Sequence, residues 1–261
     1  MEVTLRLGVF LGLLAALALA ERRWPRHRAA PARARRWPAN LGLAVINTLT
    51  LRLLLPWLAV DAAMYAQTHG IGLLHWLTLT TTQSWFVTVV ALDLLIYWQH
   101  RLLHANGLLW RLHRVHHSDT ALDATSALRF HPLEILLSMG IKIPAILALG
   151  APPEAVLLFE ILLNSFALFA HANLSLPSRI DHFLRYLVVT PEMHRIHHSV
   201  LHEERDSNYS FQLSIWDRLF SSYRHATRGA PESFPLGLSK FRMAHEQTLP
   251  ALLMQPLRSA D

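Results

Sequence analysis

The stretch ALDLLIYWQHRLLH at residues 91–104 joins an apolar segment to a pair of histidines. Residues 79–99 form the apolar segment, and about 20 such residues are enough for a helix to cross a bilayer. His100 and His104 follow at helical spacing, so both rings lie on one face of a continuing helix. Asp93 lies on the same stripe inside the segment, and an ionisable residue at membrane depth indicates a functional site. The stretch therefore predicts a membrane helix that ends in a metal-binding pair.

The composition agrees with a membrane protein. Hydrophobic residues make up 52% of the 261 residues and the mean hydropathy is +0.26. Charged residues make up only 16%, against about 25% in a typical soluble domain. The chain has no cysteine, which excludes disulfides, thiolate metal sites and cysteine nucleophiles. It also has neither a Gly-x-Gly-x-x-Gly motif nor a P-loop, so the sequence offers no nucleotide-binding loop of its own.

The net charge of +6 is concentrated in one short segment. Residues 21–38 read ERRWPRHRAAPARARRWP and contain seven arginines between two apolar segments. A basic loop between membrane spans is what the positive-inside rule produces. We therefore expect this loop on the cytoplasmic side and expect no nucleic-acid partner.

Five apolar segments predict an all-α, multi-pass membrane bundle of four or five spans. They are residues 3–20, 41–60, 79–99, 134–150 and 154–172. Segment 3–20 ends in Ala-Leu-Ala and has a second interpretation as a cleaved signal peptide, although its arginines follow the apolar run as they do in a retained span. Segment 134–150 contains Pro144 and is either a tilted or a re-entrant helix. Alternating the spans from the basic loop sends segment 41–60 outward and places DAAMYAQTHGIGLLHW (61–76) in an outer loop. It also delivers the central histidines to the cytoplasmic side, where we expect a helical cap.

The chain divides into three regions on this basis. Residues 1–78 hold the first membrane segments and the basic loop, residues 79–224 form the expected catalytic domain, and residues 225–261 form a C-terminal tail.

Seventeen histidines are the most informative residues. HRVHHS at 113–118 is nearly repeated as HRIHHS at 194–199. An HxxHH motif on a helix can place two rings on one ion and the third on a neighbouring ion. Eight histidines in three groups are the main candidate ligands, with two more as possible additions: His100, His104, His113, His116, His117, His194, His197 and His198, then His131 and His171. Ten donors are too many for one ion and suit two, and nitrogen donors favour Fe, Zn, Cu or Ni over Mg or Ca.

Metal-bound histidine usually donates its second N–H to a carboxylate or a carbonyl oxygen. Asp93, Asn164 and Asp217 are the residues that we expect to support the ligands in this way.

Four segments resemble the fatty acid hydroxylase/sterol desaturase family. They are LDLLIYWQHRLLH (92–104), LHRVHHSDTALDATSALRFHPLE (112–134), FAHANLSLP (169–177) and TPEMHRIHHSVLHEERDSNYSFQLSIWDRLFSSY (190–223). The resemblance covers about half of the chain, with the motifs in the family's order. It implies an integral membrane enzyme with a histidine-rich di-iron centre that uses O2 and two electrons to hydroxylate or desaturate a sterol, fatty acyl or alkyl lipid.

The resemblance also assigns roles by position. His100 and His104 match the first histidine box, the HxxHH motifs at 113–117 and 194–198 match the second and last boxes, and His131 and His171 match two further histidines. Asn208, Trp216 and Asp217 match a C-terminal motif that braces the site. Ser210 and Ser221 stand where the family commonly has glycine, which concerns local loop shape. The implied cofactors are two iron ions, with zinc as a substitute in a purified form, and the implied partners are a membrane lipid, O2 and a separate ferredoxin or cytochrome/reductase.

Two other classes of protein remain open from the residues alone. A membrane protein that binds or transports metal without catalysis would need polar residues along a path across the bilayer, whereas these histidines cluster on one side. A metal-dependent lipid hydrolase would usually carry carboxylates within its metal motifs, and these motifs have none. Hydroxylation and desaturation are not separated by the sequence.

Overall fold

The computed structural model describes residues 2–28, 33–228 and 235–259, and apart from isolated bridges their regular elements are helices. The longer helices are α1 (Glu2–Arg23), α2 (Arg33–Leu54), α3 (Ala59–His69), α4 (Thr81–Ala105), α5 (Gly107–His117), α6 (Pro132–Leu149) and α7 (Pro153–His171). The shorter ones are α8 (Ser178–Leu184), α9 (Pro191–His197), α10 (His202–Arg205), α11 (Ile215–Leu219) and α12 (Leu249–Met254). Single 3₁₀ turns occupy Leu73–Trp76, Ala124–Leu128, Ala244–Gln247 and Gln255–Leu257. The predicted all-α class is confirmed.

Within the described residues, five helical segments are long and apolar enough to cross a membrane. They are Glu2–Arg23, Arg33–Trp76, Thr81–Ala105, Pro132–Leu149 and Pro153–His171. This confirms the predicted multi-pass membrane bundle, with five candidate spans. Pro144 leaves α6 continuous to its left-handed cap at Gly150, where φ is 69°.

The second apolar segment differs most from its prediction. Residues after 60 were predicted to form an outer loop, but helix α3 begins at Ala59 and continues to His69. Asp61 accepts a hydrogen bond from the Leu58 amide at 2.9 Å, which satisfies one free donor at the start of the helix. The small side chains of Ala62 and Ala66 are fully buried. Such side chains allow α3 to pack closely on α6 and α7.

Helix α1 is held to the bundle by both apolar and ionic contacts. Leu17 packs into a core with Ala167 and Leu168 of α7. Arg6 pairs with Glu160 of α7 at 2.6 Å. Glu160 also pairs with Lys142 of α6 at 2.9 Å, so the carboxylate at membrane depth is neutralised by two neighbouring helices.

Arg36 in the basic segment is buried and joins α2 to the loop that follows the second histidine box. Its guanidinium donates to both carboxylate oxygens of Asp119 at 2.7 and 2.6 Å and to Asp123 at 2.6 Å. A bidentate arginine–carboxylate pair is among the stronger charge-assisted contacts. This arginine therefore has a structural role in addition to any effect on membrane orientation.

The C-terminal residues 235–259 pack against α2 and α5. Leu252 is fully buried with Leu43 and Val115 in one apolar cluster. Arg129 donates to Gln247 at 2.6 Å, and Arg114 donates to the Gln255 carbonyl at 2.6 Å. These contacts support the outer side of the helix that carries the second box.

Candidate metal centre

Helix α4 delivers the first two histidines to one end of the bundle. Thr80 caps its first turn by accepting from the Gln83 amide at 3.3 Å. At its last turns, His100 Nδ1 lies 2.6 Å from the Tyr209 carbonyl oxygen and His104 Nδ1 lies 3.2 Å from Asp206. Both acceptors are oxygens, so each Nδ1 donates its proton and each Nε2 keeps a lone pair.

Helix α5 begins directly after α4 because Asn106 caps it, accepting from the amides of Leu108 and Leu109 at 3.0 and 3.1 Å. The short turn brings the second box back beside the first. His113 Nδ1 lies 2.7 Å from the buried carboxylate of Glu134 at the start of α6. Glu134 is the last residue of the motif at 112–134, yet it is not among the predicted supporting residues.

Helices α7 and α9 complete the site. His171 is the last residue of α7, and its Nδ1 lies 2.8 Å from the Ala167 carbonyl oxygen. Thr190 accepts from the Met193 amide at 3.3 Å and starts α9, which carries the last box. His197 Nδ1 lies 2.7 Å from the Ser207 carbonyl oxygen.

Nine histidines converge in two groups, and the ligand atoms of each group lie within 4.8 Å of one another. The first group consists of His100, His104, His113, His117 and His197. The second group consists of His116, His171, His194 and His198. The groups adjoin, with the rings of His117 and His198 stacked 4.5 Å apart.

Each HxxHH motif contributes to both groups. Helix α5 gives His113 and His117 to the first group and His116 to the second. The last box does the reverse, giving His194 and His198 to the second group and His197 to the first. The identical spacing of the two motifs thus produces complementary pairs from opposite sides of the site.

Three rings outside the membrane segments, those of His117, His197 and His198, are held neutral by their surroundings. Burial lowers the pKa of His197 to about 3. Burial, followed by the neighbouring rings, also holds the pKa values of His117 and His198 well below the usual range for histidine. A neutral imidazole has a free lone pair, which is the form that binds a metal ion.

Two facing nitrogens provide the sharpest test of whether a cation fits. The Nε2 atoms of His100 and His113 lie 3.0 Å apart. Their Nδ1 atoms already face the oxygens of Tyr209 and Glu134. With both Nδ1 atoms donating, two lone pairs face each other and repel unless a proton or a metal ion lies between them.

Further nitrogens in the two groups are buried without a hydrogen-bond partner. They include Nε2 of His104, Nε2 of His197 and both ring nitrogens of His117. Buried polar atoms are rarely left in this state, so each needs an explanation. Each ring offers one ligand atom, so coordination of metal ions accounts for Nε2 of His104, Nε2 of His197 and one of the two nitrogens of His117. The all-nitrogen donor set suits Fe, Zn, Cu or Ni.

His131, which was predicted as an additional ligand, lies in neither group. Its Nδ1 accepts from the Leu133 amide at 3.2 Å and caps α6, while its Nε2 lies 3.2 Å from the Leu253 carbonyl oxygen. Both ring nitrogens are therefore engaged in holding α6 and the C-terminal segment.

The three predicted supporting residues differ in what they contact. Asp217 accepts from the amides of Tyr209 and Ser210 at 2.7 and 3.0 Å and so fixes the loop whose carbonyl faces His100. Asp93 accepts from the Trp216 indole at 2.8 Å and from the Leu213 amide at 3.2 Å, which ties α4 to the same loop without touching a site histidine.

Asn164 contacts no site histidine. Its side chain donates to the Glu160 carbonyl one turn earlier in α7, at 2.9 Å. The structure therefore gives it a local role in its own helix.

The C-terminal motif braces α9. The Asn208 side chain donates to the Met193 carbonyl at 3.1 Å and to the Arg224 carbonyl at 3.0 Å. Its φ of 54° is left-handed, which asparagine tolerates better than most residues. Ser221 also has a left-handed φ, of 57°, which explains physically why glycine is favoured at this position.

Replacing Ser221 by glycine is expected to stabilise the protein slightly. Relief of the left-handed strain exceeds the added freedom of the unfolded chain, leaving a gain of about 0.5–1 kcal/mol. The measurement is thermal unfolding in detergent beside Ser210→Gly, because Ser210 has no positive φ. A melting temperature for Ser221→Gly that is equal to or lower than that of Ser210→Gly would contradict this explanation.

The sequence model of the fatty acid hydroxylase family matches residues 85–222, which is more than half of the chain. This chain therefore belongs to the fatty acid hydroxylase family, as its motifs predict.

Three relatives represent the similarity to characterised proteins. Ornithine lipid hydroxylase OlsE of Rhizobium tropici is 31% identical over 144 residues, which cover 55% of this chain and 42% of that protein. Alkylglycerol monooxygenase of Homo sapiens is 32% identical over a region that covers 54% of this chain and 30% of that protein. Very-long-chain aldehyde decarbonylase GL1-8 of Oryza sativa subsp. indica is 32% identical over a region that covers 57% of this chain and 54% of that protein. The chain matches less than half of the length of the first two, and no solved structure matches it.

Proposed function

We propose that this chain hydroxylates a membrane lipid with O2 at a centre of two iron ions. The observation that carries the proposal is the pair of adjoining groups of buried histidines at the end of the membrane bundle. The facing lone pairs of His100 and His113 call for a cation, and two groups with nitrogen donors suit two ions of a transition metal. We assign the nine grouped histidines as ligands and leave His131 out.

Bound iron would supply the activation of O2, which no protein side chain can provide. The chain's own residues would hold and shape the site. The Nδ1–H groups of His100, His171 and His197 donate to backbone carbonyl oxygens, which fixes the ring tautomers and directs Nε2 inward. Burial of the rings excludes water from the centre.

Aromatic side chains beside both groups fit a lipid substrate. Phe130 stacks on His116 with ring centroids 4.4 Å apart, and Phe211 meets His100 edge-on at 5.0 Å. Phe211 also packs against the apolar core of the membrane helices. We therefore propose that an alkyl chain reaches the metal centre from the bilayer along Phe211.

The relatives favour hydroxylation over desaturation, because one is named a lipid hydroxylase and another an alkylglycerol monooxygenase. We further propose that residues 79–224 form the catalytic domain, that the metal centre faces the cytoplasm, and that a separate protein supplies the two electrons. The basic segment at 21–38 supports this orientation by the positive-inside rule.

The test is a comparison of membrane lipids from cells with and without the gene, grown under ¹⁸O-labelled O2, together with metal analysis of the purified protein. The proposal expects iron in the protein and a lipid that gains one labelled oxygen atom. Loss of two hydrogens without oxygen would indicate a desaturase, and label taken up from water would indicate a hydrolase. Unchanged lipids with bound metal would indicate a non-catalytic metal protein, and each of these three outcomes would overturn the proposal.

Replacing Glu134 by glutamine is expected to weaken metal binding about 10- to 100-fold, the usual effect of losing a supporting carboxylate. Glutamine keeps the shape but removes the charge that faces His113 at 2.7 Å. Competition with a chelator measures the affinity, and Glu154→Gln at the exposed start of α7 is the control. Equal affinities in the two variants would remove Glu134 from the site.

A further inference from the structure

Trp110 connects the first group of histidines to the protein surface. It lies on α5 at the head of a stripe with His113 and His117. Its ring centroid lies 5.0 Å from that of His104, 5.2 Å from that of His117 and 6.2 Å from that of His113. The side chains of the three histidines are buried, whereas Trp110 is partly exposed. One indole thus touches three candidate ligands from the outside.

Arg205 covers the other side of the indole. Its guanidinium carbon lies 4.7 Å from the Trp110 ring centroid, within the range of a cation–π contact. The adjacent Asp206 contacts His104 at 3.2 Å and the exposed His202 at 3.2 Å. The layers from solvent to the site are therefore α10 with Arg205, then Trp110, then the histidines.

The surface around this pair is basic. Arg224 donates to the Glu203 carbonyl at 3.0 Å, and Arg228 pairs with the Glu203 carboxylate at 2.5 Å. The cations are Arg205, Arg224 and Arg228, and they outnumber the carboxylates of Glu203 and Asp206. An excess of positive charge attracts an acidic partner and speeds its docking.

We propose that the Trp110–Arg205 surface docks an acidic one-electron carrier protein and passes its electrons through the Trp110 ring to the first group of histidines. The inference rests on the proposed function, because only a redox centre needs this supply. Each encounter oxidises the carrier by one electron and reduces the bound metal by one, and two encounters deliver the two electrons. The indole is neither oxidised nor reduced overall.

Tryptophan and arginine are the residue types that most often dominate a docking interface. Trp98 offers a matched comparison within the same chain. Arg101 lies over its ring at 5.4 Å, and the residue is 45% exposed. Its ring contacts, however, are with Tyr97 and Phe220. Trp98 therefore resembles Trp110 in having an arginine over its indole, but it differs because its ring does not contact the histidine groups.

The test uses the iron-loaded full chain in lipid nanodiscs and an acidic [2Fe–2S] ferredoxin as the probe. Titration with oxidised ferredoxin gives the dissociation constant without any turnover. Trp110→Leu and Arg205→Gln are expected to weaken binding about tenfold or more, as truncation of a docking hot spot does. Trp98→Leu is expected to bind like the unmodified chain. Affinity should fall as salt is raised, since charge attraction is screened.

Stopped-flow reduction supplies the second measurement. Reduced ferredoxin is expected to deliver electrons more slowly to Trp110→Leu than to Trp110→Phe, which keeps an aromatic ring. Reduction by dithionite, and the metal content, should be the same in both variants and in Trp98→Leu. If Trp110→Leu binds ferredoxin and accepts its electrons as fast as Trp98→Leu, the docking proposal is overturned. The docking proposal is also overturned if Trp110→Leu binds ferredoxin normally but no longer carries anionic phospholipid through purification, because the surface would then bind lipid headgroups.

Failure of the proposed function gives a different result. A chain that holds no iron, or that dithionite does not reduce in any variant, would refute the di-iron assignment. The titration with oxidised ferredoxin would still report on docking, because it needs neither reduction nor substrate.

Discussion

Replacing His171 by alanine is expected to remove about one metal ion per chain and to abolish lipid hydroxylation. The second group has four histidines, so this change leaves three protein ligands, one fewer than a closed site usually has. Replacing His104 leaves four of the five histidines in the first group. We therefore expect His104→Ala to retain both ions while losing much of its activity. Metal analysis after desalting, with turnover measured on the same samples, checks both expectations.

Two other histidines serve as controls for this experiment. His182 is exposed and its ring meets Tyr186 and His225, outside both groups. His131 caps α6. His182→Ala should keep full metal content and activity. His131→Ala should keep the metal and lose about 1 kcal/mol of stability, as other caps do. Full metal content in His171→Ala, or loss of an ion in His131→Ala, would refute the assigned ligand set.

Replacing Asp119 by asparagine is expected to destabilise the fold by about 3–5 kcal/mol, because it breaks a buried ion pair by removing one partner. In the unmodified protein both carboxylate oxygens of Asp119 face Arg36. In the variant Arg36 would keep its charge in this buried position without the charge of Asp119. Asp119 follows the second box by two residues, so the same change should lower metal content. Chemical denaturation in detergent and metal analysis measure the two effects.

The exposed pair of Arg228 and Glu203 is the matched control, with side chains 67% and 60% exposed. Glu203→Gln should change stability by less than about 1 kcal/mol, as is usual for surface pairs. A loss in Asp119→Asn no larger than that in Glu203→Gln would show that the buried network contributes little.

The same carboxylate predicts a pH dependence. Burial alone would raise the pKa of Asp119, but Arg36 and Arg129 outweigh it and hold that pKa well below its usual range. A depressed pKa stabilises the fold fully above the unfolded value of about 3.9 and progressively less below it. This contribution should therefore be constant from pH 8 to about 5 and should decline only in stronger acid. In Asp119→Asn that decline should be smaller.

The membrane spans and the histidine boxes were predictable because both are local patterns. A run of apolar residues and an i, i+3, i+4 spacing depend only on neighbours in the sequence. His171 was harder, since a single histidine has no HxxHH spacing to support it, and it was predicted only as a possible addition until the resemblance matched it to a further family histidine. His131 illustrates the converse, because a match to a family motif did not reveal that its ring nitrogens are engaged by α6 and the C-terminal segment.

The remaining features depend on contacts between distant residues. Glu134 meets His113, and Asp119 meets Arg36, across long stretches of chain. Arg36 was counted only as one of the arginines that predict membrane orientation. Its buried ion pairs were not predicted, because nothing in the local sequence distinguishes a buried arginine from its exposed neighbours. Helix α3 was interpreted as a loop because its alanine-rich sequence is too short and too weakly apolar to span a membrane. Its helical form depends on burial against α6 and α7.

The sharing of each HxxHH motif between the two groups has a consequence for how the centre fills. An ion held by the first group fixes α5 through His113 and His117 and the last box through His197. That event also orients His116, His194 and His198 for the second group. Binding of the first ion thus orders much of the second group, so binding of the second ion costs less conformational entropy. Loading should be cooperative, so that limiting metal yields a mixture of empty and doubly filled chains with few half-filled ones.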